Sequence, residues 1–196
     1  MEKGDTMAII TISRQVGTGG LDMARELAKK LNYRFLHRDE LVRSCSEKSL
    51  KIDIEKIEGR PPTVFERLFK VNRETLVGKV HEVMEETASN GNIVIGGWGG
   101  QIHFKNNEDA FHIRIVGSHD TRVRYLMKTA GVTRSGAEET IRRADRDHSL
   151  FSQYFFNADF ADLKLYHLVL NLDQISHDEM AEMISILVNE TIPQST

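Results

Sequence analysis

An apolar, β-branched run from Ala8 to Ser13 is followed by Arg14 and then by the cluster Gly17-Thr-Gly-Gly20. A buried strand, a glycine turn and a helix in that order is an arrangement that binds phosphate. Glycines let backbone N–H groups approach an anion, and the helix N-terminus adds a partial positive charge. Two stricter patterns are not met. In a Walker A loop, Gly20 would stand at the lysine position and Leu21 at the hydroxyl position. A dinucleotide fingerprint needs a third small residue where Asp22 stands, although Asp39 lies at a plausible distance for a ribose carboxylate. A turn that only packs helix against strand is the alternative. Arg14 favours a ligand, because a charge at the end of a buried first strand points to the crevice used by open α/β sheets.

A second cluster, Gly96-Gly-Trp-Gly-Gly100, follows another short strand. Between residues 114 and 146, seven arginines and Lys128 face Asp120, Glu138, Glu139 and Asp145, a local net charge of +4. The whole chain carries −3, from 26 Lys+Arg against 29 Asp+Glu. Phosphate chemistry must therefore come from local clustering, and no polymeric nucleic acid is expected as a partner. The only cysteine, Cys45, excludes an intrachain disulfide and a cysteine-based zinc site. The eight histidines form no helical His-x3-His pair, so no metal site is expected. No segment has the roughly 18 consecutive apolar residues that span a bilayer, and Met1 to Thr6 does not read as a signal peptide. The expectation is a cytoplasmic protein with no membrane contact.

Strand and helix patterns alternate around these residues. Strands are expected at 8–13, 33–36, 92–95, 111–116 and 165–172. Helices are expected at 21–31, 38–48, 74–88, 118–130, from Thr133 or Ser135 to 156, and 176–191. The last should turn Met180, Met183, Ile184 and Leu187 inward. Gly59-Arg-Pro-Pro62 breaks the pattern, and Phe65, Leu68 and Phe69 share one face after it. With 196 residues, 40% of them hydrophobic, the chain suits one α/β domain with a mostly parallel sheet.

Ile9-Ile-Thr-Ile-Ser-Arg-Gln-Val-Gly-Thr-Gly-Gly20 resembles the opening of the cytidylate-kinase-like family of P-loop proteins. Five further segments follow in the same order. Arg60-Pro-Pro-Thr-Val-Phe-Glu-Arg-Leu68 resembles a Pro-Pro-Ser-x-x-Glu-Arg-Leu segment, and residues 93–102 resemble a strand entering Gly-Arg-Gly-Gly-Gln. His112-Ile-Arg-Ile-Val116 with Arg122 and Arg124 is similar to the next strand and helix. Asp145-Arg-Asp-His148 with Phe155 and Phe156 resembles the lid stretch, and Leu165 to Asn171 resembles the last strand.

The resemblance implies a three-layer P-loop kinase-like fold: a five-stranded parallel sheet in order 2-3-1-4-5 between helices. It also implies a helical substrate-side insertion at about 38–90 and a short lid at about 134–160. The implied activity is phosphoryl transfer from ATP, with Mg2+, to a nucleoside monophosphate such as CMP. Such chemistry needs cations converging on one crevice. Arg14, the backbone of Gly17, Thr18, Gly19 and Gly20, and the flanking Leu21 and Asp22 would bind the donor. Arg38, Asp39, Trp98, Gly99 and His148 would face the acceptor, and Arg142, Arg143 and Arg146 would be the catalytic phosphate clamps.

Several basic positions are missing. Leu21, Trp98, His148 and Gln153 stand where the family carries basic residues, and His167 replaces an aspartate. Trp98 can stack on a base or simply fill space. His148 becomes a cation beside an anion. A nucleotide-binding protein without efficient transfer is therefore the competing expectation.

Overall fold

The structure, a computed structural model, describes residues 7–47 and 73–191. The expected Pro61-Pro62 break, the face formed by Phe65, Leu68 and Phe69, and the Arg60 to Leu68 segment lie outside these residues. So does the middle of the expected insertion.

Strand β1 (Ile9–Arg14) is the centre of the sheet. Its apolar residues are buried on both faces, as a central parallel strand requires. It pairs in parallel with β3 (Ile93–Gly96) on one side and β4 (Ala110–Val116) on the other. Strands β2 (Arg34–Leu36) and β5 (Leu168–Asn171) form the edges, giving the order 2-3-1-4-5.

Alternation along the strands sends side chains to opposite faces. Ile10, Ile12, Val94, Ile113 and Ile115 pack under α1 (Gly20–Leu31) and α7 (His177–Thr191). Ile9, Ile93 and Ile95 pack with Leu41 of α2 (Arg38–Glu47), with Leu76, Val80 and Met84 of α3 (Arg73–Ala88), and with Phe155. Helix α4 (Gly100–His103) is one turn long. Helix α5 (His119–Ala130) follows β4, and the long α6 (Arg134–Phe156) follows it after a short connection.

Local signals account for the helix ends. Ser118 accepts the N–H of Thr121 at the start of α5, and Thr133, rather than Ser135, caps α6 by accepting the N–H of Gly136. Asn32, in the left-handed region, closes α1. Two expectations are corrected. Leu163–Leu165 forms a 3-10 turn, so β5 begins only at Leu168. In α7, Met183 is exposed, and the inward residues are Met180, Ala181, Ile184 and Val188. Among the described residues, no helix is long and apolar enough to cross a membrane.

Candidate active site

Both glycine clusters leave the C-terminal edge of the sheet from adjacent strands, since Ile12 stands beside Gly96 in register. In the first, Gly17 (φ +84°) and Gly19 (φ +64°) occupy the left-handed region. A side chain is excluded there by more than backbone strain. A Cβ on Gly17 would lie 2.9 Å from the Arg122 carbonyl oxygen, and one on Gly19 would strike Tyr125 and His177. Gly19 caps α1 without a side-chain bond. The first N–H groups of the helix thus stand at the loop, as an anion site requires.

The side chains of this loop are committed to holding it. Thr18 is fully buried, and its hydroxyl donates to the Gln15 carbonyl (2.7 Å). His177 Nε2 sits 2.6 Å from the Thr18 carbonyl oxygen. Asp22 accepts from Arg25 (3.1 Å) and from the Tyr125 hydroxyl (3.4 Å), and its charge pushes the tyrosine pKa up along with burial, which is the larger cause. Leu21 packs instead on the second loop, its Cδ1 lying 3.1 Å from where a Gly96 Cβ would be.

Arg14 joins the two loops. Its Cβ closes over Gly20, and its Nη1 would be 2.6 Å from a Cβ on Gly97. In the second loop Gly97 (φ +84°), Trp98 (φ +56°) and Gly99 (φ +74°) are all left-handed. For a tryptophan that conformation is strained, at a cost on the order of 1–3 kcal/mol. Trp98 is only 7% exposed and sits in the apolar cluster, edge-on to Phe151 at 5.6 Å. Its Nε1 is buried without a hydrogen-bond partner among the described residues. Its position is that of a packing residue. Gly99 is held under the Phe156 ring, which a Cβ there would strike.

Helix α6 roofs the crevice beyond Arg14. A cavity of about 220 Å³ lies there, with Ser13, Arg14 and Arg114 on the sheet side and His148, Ser149 and Ser152 on the helix side. Asp145, His148, Ser149 and Ser152 are spaced to share one helix face. Arg142 and Arg143 instead pair with Glu139, and Arg146 pairs with the buried Asp147 at 3.3 Å. All three arginines are more than half exposed, and none lines this cavity. Asp39 is exposed at the start of α2, with its N–H on His37 Nδ1 (3.2 Å). Arg38 begins the same helix.

Arg122 is the site residue that sequence reasoning missed. It is 4% exposed, donates Nε–H to the Val16 carbonyl (2.7 Å), and grips Asp145 of α6 with Nη1 (2.8 Å) and Nη2 (2.6 Å). One guanidinium therefore ties the first glycine loop to the roof helix. Its residue type was visible in the basic stretch, but its burial was not. His167 stacks on His112 (4.9 Å) and accepts its backbone N–H (2.9 Å). Burial, and then His167, lower the His112 pKa to about 4. Burial, and then His103, lower that of His81 to about 4.

Among the described residues, the side chains at the loop do not form a protein cage for Mg2+. The Thr18 hydroxyl is turned into the loop, Asp22 is engaged by Arg25 and Tyr125, and no group of three or more acidic, His or Cys side chains gathers among the described residues. This set fits an ion carried mainly on nucleotide phosphates.

The chain is similar to a cytidylate kinase of Sulfurisphaera tokodaii, 24% identical over 185 residues that cover 92% of this chain and 95% of that one. A solved protein structure from Eubacterium ventriosum superposes with a TM-score of 0.76 at 19% identity, covering 94% and 99% of the two chains. The shikimate kinase of Bacteroides thetaiotaomicron superposes with a TM-score of 0.54 at 18% identity, covering 93% and 99%. These structures share the P-loop kinase-like fold described above. Residues 9–174 match the model of the cytidylate kinase-like family, and the chain belongs to that family.

Proposed function

We propose that this protein is an ATP-dependent nucleoside monophosphate kinase acting on CMP or a related monophosphate. The observation that carries this reading is the pair of glycine loops on adjacent strands, bridged by Arg14. One cradle suits the phosphates of a donor, the other the phosphate of an acceptor. An acceptor phosphate oxygen attacks the γ-phosphorus of ATP, the bond to the β–γ bridging oxygen breaks, and ADP leaves. Mg2+ on the donor phosphates would supply charge neutralisation.

The chain's own part is positioning. The backbone of Gly17 to Gly20 and the Arg14 guanidinium orient the donor, with Leu21 and Asp22 shaping the start of α1. The Gly99 loop, Arg38, Asp39 and His148 are assigned to the acceptor side. Helix α6 serves as lid and excludes water. Arg142, Arg143 and Arg146 act on phosphate only if lid closure draws them away from Glu139 and Asp147.

A second reading, nucleotide binding with weak transfer, is favoured by one observation. Trp98 is buried where the resemblance implies an arginine, and losing such a cation costs on the order of 10³ in rate. Turnover with Mg2+ and ATP across CMP, dCMP and the other monophosphates separates the two. ADP formation dependent on one monophosphate supports the kinase. ATP binding without turnover on any monophosphate removes it.

A further inference from the structure

The acceptor-side crevice contains a guanidinium that the missing arginines do not account for. Arg114 lies on β4 beside Ser13, with which it is in register. Its Nη1 donates to Ser13 Oγ (2.9 Å) and to Tyr166 Oη (3.2 Å), and its Cζ lies 5.5 Å from the Tyr166 ring centroid. Both oxygens belong to buried, neutral side chains. Tyr166 spends its one proton on the Phe160 carbonyl (2.8 Å), so towards Arg114 it only accepts. It also receives Gln101 Nε2 at 3.4 Å, from the first turn after the second glycine loop.

Among the described residues, the remaining donors of Arg114 meet no acceptor. Among the described residues, Arg122, Arg134, Arg142, Arg143 and Arg146 each pair with a carboxylate, whereas Arg114 pairs with none. Nor do its Nε and Nη2 bond to another described residue. The two acids on the cavity wall are already engaged: Asp145 by Arg122, and Asp159 by the Ala161 N–H. A half-buried cation held in place by neutral oxygens, on the wall of a cavity that Arg14, His148, Ser149 and Ser152 also line, suits an anion that is not part of the chain.

From this geometry we infer that Arg114 is the acceptor-phosphate clamp, taking the charge role that Trp98 cannot fill. The inference rests on the kinase reading above. The ligand is a phosphate monoester, and Ser13, Tyr166 and Gln101 position the guanidinium for it.

Calorimetric titration of the full chain with CMP, cytidine and ATP, for wild type and Arg114→Met, tests this. The expected result is a CMP affinity lower by about ten- to a hundredfold. Cytidine and ATP affinities should stay unchanged, because the lost contact is to the acceptor phosphate alone. Should Arg114→Met fail to fold, Arg114→Gln replaces it, keeping a donor for Ser13. An unchanged CMP affinity, or an equal loss for CMP and ATP, overturns the inference and leaves the kinase reading standing. A wild-type chain that binds ATP but no monophosphate removes both.

Discussion

Replacing Arg122 tests whether a single buried guanidinium holds the phosphate loop to the roof helix. Arg122→Met removes one charge-assisted bond to the Val16 carbonyl and two to Asp145. Each such bond is worth about 1.5–3 kcal/mol, but the terms do not add in full. The Asp145 side chain is 44% exposed, so water solvates the carboxylate once its partner leaves. The Val16 carbonyl is left to find another donor. A loss of about 2–4 kcal/mol results, or roughly 5–15 °C in Tm for a chain of this size. Asp145→Asn should cost at least as much, because it strands a cation that is only 4% exposed. Urea unfolding of both variants and of the double variant gives the coupling directly. ATP titration of Arg122→Met should show weakened binding as the loop loses its anchor. If both single variants unfold within about 0.5 kcal/mol of wild type, the argument for this anchor is wrong.

Other consequences can be checked separately. Gly19→Ala should abolish ATP binding, because it adds left-handed strain of about 1–2 kcal/mol and a clash with Tyr125 and His177; titration against wild type shows it. Trp98→Ala should destabilise by about 3–5 kcal/mol, as expected for a buried packing residue, and a variant of near wild-type Tm would contradict its burial. His112 is neutral when folded, with a pKa of about 4 against 6.5 unfolded. Its contribution is complete above pH 6.5 and is lost as pH falls towards 4, so acidification from pH 7 to 5 should cost about 1–2 kcal/mol. His81 acts in the same direction, and urea midpoints that do not fall over that interval would refute both assignments.

The frame of the molecule was legible because it rests on local signals. The β-branched run of β1, the apolar spacing in α1, the Ser118 cap and the two glycine clusters each dictate their own conformation. The order of the strands came from resemblance rather than periodicity, since pairing is non-local. The site was legible in its glycines and less so in its charges. Arginines at 142, 143 and 146 share a helix with His148, and only the packing angle of α6 decides that 145, 148, 149 and 152 face the crevice. Arg122 and Arg114 read as two more members of a basic stretch, because nothing in their neighbours reveals which one meets Asp145 and which meets only Ser13 and Tyr166. Spacing places Met180, Met183 and Ile184 on one inward face; Met180 and Ile184 are covered as expected, but Ala181 and Val188 complete that face and Met183 is left exposed.

The central claim is that the two bridged glycine loops bind two phosphate-bearing ligands at once. The most direct measurement is calorimetric titration of CMP into the chain already saturated with a non-hydrolysable ATP analogue. One CMP site per chain is expected, filled while the analogue stays bound. Competition between the two nucleotides for a single site, or no heat from either, would contradict it.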